Sequence, residues 1–228
     1  MTDAAHPRPI RSFVTRSGRI TGAQQRALEE LWPRYGLEFA PARLDADALF
    51  GRVAPRVCEI GFGNGDNLLA LATAHPEQDF LGVEVHRPGV GRVLLALEQA
   101  RLTNVRVVCH DAVEVLAGQL APDSLAQILI LFPDPWPKKR HHKRRLLQAP
   151  FAALAASRLA PGGVLRLATD WRPYALEMLA VLGATAGLAN LAADGGFVER
   201  PAARQATRFE RRGERLGHEV FDLAFRRL

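Results

Sequence analysis

Only two cysteines and two methionines occur in 228 residues, and neither cysteine forms a Cys-x-x-Cys pair or stands at ligand spacing from a histidine. That excludes a disulfide-stapled secreted scaffold and a structural zinc module, and it leaves Cys58 and Cys109 as buried, reduced thiols in apolar, strand-like runs, the usage of a cytoplasmic protein. The seven histidines show no ligand spacing among themselves, so no metal is expected. No apolar run is long enough for a bilayer: the most apolar long stretch, Leu176–Ala193, is broken by Gly183, Thr185, Gly187 and Asn190, and no membrane partner is expected. Met1–Ser12 lacks the apolar segment of a signal peptide. Internal repeats are absent, and 48% apolar with 24% charged residues excludes a disordered or fibrous chain.

What is present is a charge concentrated in one place. The formal net charge is +6, and the octet Lys138, Lys139, Arg140, His141, His142, Lys143, Arg144, Arg145 carries six Lys or Arg, leaving the rest balanced at 24 against 24. Such a patch attracts polyanions, of which nucleic acid is the commonest; a solvated loop is the plainer alternative. Residues 1–20 hold Arg8, Arg11, Arg16 and Arg19 against a single Asp3 without apolar periodicity, which predicts a flexible basic arm. Residues 21–228 then read as one domain with an N-terminal helical extension, since a chain of this length buries a full core once.

Thr21 and Gln24 have capping-box spacing before Ala27, Leu28, Leu31 and Trp32, predicting a helix ended by Pro33. From residue 56 onward, apolar strand-like runs (Val57–Ile60, Phe80–Val85, Val105–Cys109, Ile128–Phe132, Val164–Ala168) alternate with helical patterns (Asp66–Ala74, Pro88–Arg101, Ala112–Ala117, Lys143–Leu159). The last of these helices is expected to end near Pro161-Gly162-Gly163. A helix over 172–184 and strands near 188–192 and 218–225 complete the pattern. The expectation is an α/β, doubly wound, mostly parallel sheet covered by helices on both faces, with an antiparallel C-terminal strand.

In such sheets ligands bind outside the carboxyl ends of the strands. Glu59, Glu84, Asp111 and Asp134 stand at or just past four of those ends. The first opens into Gly61-Phe62-Gly63-Asn64-Gly65, where glycines let the backbone turn tightly against a ligand. A dinucleotide fingerprint wants a third glycine at 66, but residue 66 is Asp, an acid where a pyrophosphate would seek a helix N-terminus. The Glu-x-Gly-x-Gly-x-Gly pattern resembles motif I of class I methyltransferases, whose cofactor S-adenosylmethionine has no phosphate and carries two cationic groups. Glu84 follows the glycines by about 20 residues, where a carboxylate can accept from ribose hydroxyls. Asp111 can reach an adenine amino group or cap the next helix.

The fourth strand runs through Phe132 into Pro133-Asp134-Pro135-Trp136-Pro137 and then directly into the basic octet. Prolines hold Asp134 rigidly, and Trp136 offers either a stacking surface or simple packing. Here the chain resembles the bacterial tRNA (guanine-N7-)-methyltransferase family. The resemblance is carried by Arg16–Thr21, Glu59–Gly65, Gly82–His86, Asp111–Leu116, Phe132–Lys139, Ala168–Trp171, Thr207–Glu210 and Leu216–His218, in order over nearly the whole chain. It implies S-adenosylmethionine as cofactor, tRNA as partner and N7 of a variable-loop guanine as acceptor. It further implies cofactor contacts at Glu59, Gly61, Gly63, Gly65, Glu84, Asp111 and Asp134, with Asp134 the catalytic acid. Substrate contacts fall at Lys138, Asp170, Thr207, Arg208, Phe209 and Glu210, and RNA contacts at Arg140, His141, His142, Lys143, Arg144 and Arg145. Thr207 and Glu210 also fit a helix capping box, and Asp170 can cap a helix opening near Arg172. Two other functions compete: methylation of an exocyclic base amine, and a non-catalytic RNA-binding module. A monomer or a homodimer fits equally well.

Overall fold

The computed structural model describes residues 11–14, 18–202, 204, 210 and 219–228. In chain order the elements are α1 (Gly22–Glu30), α2 (Trp32–Tyr35), β1 (Gly36–Leu37), α3 (Ala46–Phe50), β2 (Arg56–Ile60), α4 (Asp66–Ala74), β3 (Asp79–Val83), α5 (Arg87–Ala100), β4 (Val105–Val108) and α6 (Ala112–Gly118). Then follow β5 (Leu125–Leu131), a 3₁₀ segment (Lys139–Arg144), α7 (Ala149–Arg158), β6 (Leu159–Thr169), α8 (Arg172–Gly183), β7 (Leu188–Asn190) and β8 (Phe221–Arg227). Among the described residues they form one eight-stranded sheet in the order β1-β4-β3-β2-β5-β6-β8-β7. β8 runs antiparallel to both its neighbours, and the other pairings are parallel. The chain moves outward one way through β2, β3 and β4, then the other way through β5 and β6, so the direction reverses between β2 and β5, where crevices form in open α/β sheets.

Strand pleat sorts the core. Cys58, Ile60, Leu81, Val83 and Ile128 point to one face, where they pack with Val115, Leu116, Phe151, Tyr174 and Met178. Val57, Phe80, Val105, Val107 and Leu129 point to the other, against Leu68, Val90, Val93, Leu94 and Leu97, with Ala27 and Tyr35 joining from the N-terminal helices. Glu59 has the parity of Val57, so the pleat turns it toward α4.

The capping box forms as expected, with Thr21 and Gln24 satisfying each other's backbone amides. Pro33 does not end that helix. α1 stops at Glu30 and Pro33 opens α2, where a first-turn position needs no amide hydrogen. The helix expected from Lys143 begins only at Ala149, because Pro150 in its interior would clash with the carbonyl of the preceding turn; Pro150 sits instead in the first turn. Pro161-Gly162-Gly163 lies inside β6, where Gly162 takes φ 81° beside a register shift against β5, and not in a loop after α7. β3 ends at Val83 rather than Val85, since the Val85 and His86 amides turn back onto the Glu84 side chain. β1 and α3 lie outside every periodic run in the sequence.

Candidate active site

Five neighbouring parallel strands, β4, β3, β2, β5 and β6, end on one edge, and each brings an acid there: Asp111, Glu84, Glu59, Asp134 and Asp170. Glu59 is the deepest, 2% exposed, with the Nδ2 of Asn67 donating to its Oε2 at 2.9 Å. Burial pushes its carboxyl up to about 7, against the lowering effect of that hydrogen bond. A carboxyl so poised is costly to ionise alone and favourable to ionise beside a cation.

The glycine loop shows why glycines stand there. Gly61, Gly63 and Gly65 all take left-handed φ, at 70°, 57° and 79°. A Cβ at Gly61 or Gly63 would meet nothing within 4 Å, so these two face open space, whereas one at Gly65 would strike Val93 at 2.2 Å. Glu84 fixes the loop: its Oε2 accepts from the Gly63 amide at 2.8 Å, and its Oε1 accepts from Val85 and His86 at 2.7 and 2.9 Å. Asp66, in the first turn of α4, pairs with Arg92 at 3.0 Å. Asp111 caps α6, its Oδ1 accepting from Val113 at 2.9 Å, so that one of the two readings open in the sequence is realised. A groove of about 490 Å³ joins this strand end to the basic segment, lined by Arg11, Ser12, Asp111, Lys143, Arg144 and Gln148 among others.

The Asp134 loop is braced from several sides. Phe132 and Trp136 flank it in left-handed conformations, φ 52° and 44°, each costing about 1–2 kcal/mol and sustained only by surrounding contacts. The Phe132 amide donates to Ala168 at 2.8 Å, and the Arg204 guanidinium lies 5.8 Å from the Phe132 ring. The Trp136 indole N–H donates to the Ser12 carbonyl at 3.2 Å, with His141 edge-on and Arg144 over the ring at 5.0 Å. Trp136 is thus a packed node of the loop. Asp134 itself is exposed at the tip. Asp170, half-buried, follows the buried Thr169; the N-cap of α8 falls on Trp171, which makes no side-chain cap bond, so Asp170 does not cap that helix.

The basic octet divides. Lys138, Lys139, Arg140 and Lys143 are exposed, and His141, His142 and Arg144 are half-buried. His141 is held below the usual histidine range by desolvation and by the cations of Arg140, Arg144, Lys138 and Lys143. Arg145 departs from the expectation of an RNA contact. Its side chain is 2% exposed, paired with Glu177 and donating to the Pro135 carbonyl at 2.9 Å, because the chain turns inward there toward α7.

Thr207, Arg208 and Phe209 lie outside the described residues. Glu210 is 1% exposed and engaged on both oxygens by Arg204, at 2.6 and 2.8 Å, while Arg204 also donates to Asp222 at 3.0 Å. This Arg204 cluster had no sequence signal: one arginine among the several of residues 200–215 looks solvated. Among the described residues no group of three or more His, Cys, Asp or Glu is arranged to hold a metal ion, and no helix is long and apolar enough to cross a membrane.

A doubly wound sheet with acids gathered at the switch point and an open glycine cradle defines a class I methyltransferase. Residues 53–223 match the family model described as "Putative methyltransferase". The chain is 60% identical over 225 residues to the tRNA (guanine-N(7)-)-methyltransferase of Leifsonia xyli subsp. xyli, covering 97% of this chain and 99% of the relative. It is 60% identical over 223 residues to that of Thiobacillus denitrificans, covering 98% and 97%. Among solved structures it is similar to the 16S rRNA methyltransferase KamB, with TM-score 0.57 and 17% identity over 81% of this chain and 94% of that one, a likeness of fold alone. The chain belongs to the tRNA (guanine-N(7)-)-methyltransferase family.

The cofactor of that family, S-adenosylmethionine, fits the residues present. Gly61 and Gly63 leave space where side chains would stand, and buried Glu59 takes its hydrogen bond from the neutral amide of Asn67, which leaves its charge to be answered by a cation.

Proposed function

We propose that this protein transfers a methyl group from S-adenosylmethionine to N7 of a guanine in tRNA, in the variable loop by the family resemblance. The observation that carries the reading is the continuity of the Asp134 loop with the basic segment, which on this reading puts methyl transfer and phosphate grip on one stretch of chain. When bound, the cofactor supplies an electrophilic methyl on a sulfonium. Glu59 and Glu84 would hold its cationic and ribose ends, Gly61 and Gly63 would admit it closely, and Asp111, which caps α6, would meet the adenine.

Guanine N7 carries an in-plane lone pair at neutral pH, so no proton has to leave before attack and no strong general base is required. The residues must instead align the acceptor and answer the positive charge that develops on the purine. Asp134 on its braced tip is the catalytic carboxylate in this reading, and Asp170 on the adjacent strand end holds the guanine edge, with Lys138 and the Thr207–Glu210 segment. Lys139, Arg140, His141, His142, Lys143 and Arg144 grip phosphates, with Arg145 held out of that set by its burial. The protein works as a reduced cytoplasmic enzyme without a metal, with residues 21–228 acting as one domain behind a basic arm.

The test replaces guanosine by 7-deazaguanosine throughout a tRNA transcript. Methyl incorporation should vanish while tRNA affinity stays within about threefold. Undiminished incorporation would move the acceptor to another atom, such as an exocyclic amine.

A further inference from the structure

Arg145 is the one residue of the basic octet that is buried, and its contacts run inward. Nε donates to the Pro135 carbonyl at 2.9 Å, one residue past Asp134. Nη1 pairs with Glu177 on α8, whose side chain is 34% exposed against 2% for Arg145. The guanidinium lies 4.8 Å over the ring of Tyr174, which is itself fully buried and accepts the Leu147 amide at 3.1 Å on its hydroxyl. One planar fork therefore touches the loop that carries Asp134, and α8, which opens two residues after Asp170.

We propose that Arg145 is a positioning residue: it ties the Asp134 loop to α8 and so sets the placement of Asp134 relative to Asp170. The inference rests on the reading of Asp134 as the catalytic carboxylate. Three features of the geometry argue for it. The loop is held in two left-handed non-glycine conformations, at Phe132 and Trp136, and such backbone persists only where neighbours over-determine it. The carbonyl that Arg145 takes lies between them. A lysine could reach Glu177 or Pro135 as a point charge, but only the fork serves both in one plane with Tyr174 beneath it. Finally, releasing Arg145 to a phosphate would strip Glu177 of its partner and bare the Tyr174 face, a cost that the exposed Lys139, Arg140 and Lys143 do not meet.

A phosphate contact and a positioning brace predict opposite things for Glu177. If Arg145 gripped RNA, Glu177→Gln would free a cation and strengthen binding. If it positions the loop, the same change loosens Pro135 and slows the chemical step, with tRNA binding untouched.

The experiment measures single-turnover methyl transfer at saturating tRNA and cofactor, tRNA affinity against salt, and thermal midpoint, for Arg145→Lys, Glu177→Gln, their double variant and Asp134→Asn. Arg145→Lys and Glu177→Gln should each slow the step by about tenfold or more, with tRNA affinity within about twofold and the salt slope unchanged. The double variant should be little slower than the worse single one, because both act through the same bond to the loop. A weaker, less salt-dependent tRNA affinity for Arg145→Lys, or a lowered midpoint with a normal rate in both single variants, would overturn the proposal while a slow Asp134→Asn left the catalytic reading standing. A normal rate for Asp134→Asn would instead remove the role of Asp134, and the brace would lose its purpose with it.

Discussion

The Glu84 carboxylate accepts a hydrogen bond from the Gly63 amide at 2.8 Å, so the acid beyond one strand fixes the glycine loop beyond its neighbour. Its other oxygen takes the Val85 and His86 amides, so three backbone donors point at one side chain. Glu84→Gln presents an NH₂ group to one side of that set, where only donors stand. Leaving such groups unpaired costs about 1–3 kcal/mol, so cofactor affinity should fall about 10- to 100-fold with tRNA affinity unchanged. Calorimetry on each ligand reads both, and an unchanged cofactor affinity would separate Glu84 from the cofactor cradle.

If Glu59 faces the cofactor's cation as proposed, cofactor binding should depend on pH. Its folded carboxyl is raised from 4.5 to about 7, so at pH 6 the free protein holds it protonated, and a cation bound beside it must expel that proton. Cofactor affinity should rise by up to tenfold per pH unit between about pH 5.5 and 6.5 and flatten above 7, before an α-amino group itself titrates near 8. Glu59→Gln should lose the slope. Calorimetry in two buffers of different ionisation enthalpy counts the released proton directly.

The same shift acts on stability with a fixed sign. Because the folded pKa lies above the unfolded one, the protonated acid is no burden below pH 4.5, and the penalty grows as pH rises through that point to about 7. Without cofactor, Glu59→Gln should therefore be stabilising at pH 8, by up to about 3 kcal/mol, and close to neutral at pH 4.5. Denaturant midpoints at the two pH values check it; equal effects at both would mean that the carboxyl is not perturbed.

Much of this site was legible in the sequence because its signals are local. Glycines at 61, 63 and 65 mark a turn, Asp66 argues against a pyrophosphate, and acids closing apolar runs mark strand ends, all properties of neighbouring residues. Glu59 facing α4 follows from strand parity alone. What could not be read depends on partners far apart in sequence. Arg145 looks like the five other cations of its octet until α8 brings Glu177 and Tyr174 beneath it, and Arg204, besides its nearby partner Glu210, meets Asp222 on β8 and the ring of Phe132 only in the fold. The helix boundaries at Pro33 and Pro150 differ from expectation because the fixed φ of proline suits the first turn of a helix as readily as it stops one.

In the proposed reading the exposed cations carry the phosphate grip. Replacing Lys139, Arg140 and Lys143 by Ala should weaken tRNA binding and reduce the slope of log affinity against log salt by roughly 0.7–0.9 for each phosphate no longer neutralised, with cofactor affinity unmoved. A filter-binding series across salt concentrations reads the slope. An unchanged slope would place the grip elsewhere on the protein.

On the proposed mechanism Asp134 offers charge and not a proton acceptor. Asp134→Asn preserves shape but removes the field, so single-turnover rate should drop by about 10²-fold or more with tRNA affinity nearly kept. The rate of the parent protein should lack a log-linear rise with pH that Asp134→Asn abolishes; such a rise would mark proton removal and favour an exocyclic amine as acceptor.

The most direct measurement is the identity of the methylated nucleoside. Unmodified tRNA is incubated with the protein and isotopically labelled S-adenosylmethionine, digested to nucleosides and resolved by chromatography with mass detection. The account predicts that the label appears as 7-methylguanosine and is lost with Asp134→Asn. Label in N2-methylguanosine or in a methylated adenosine, or binding of tRNA with no label transferred, would contradict it.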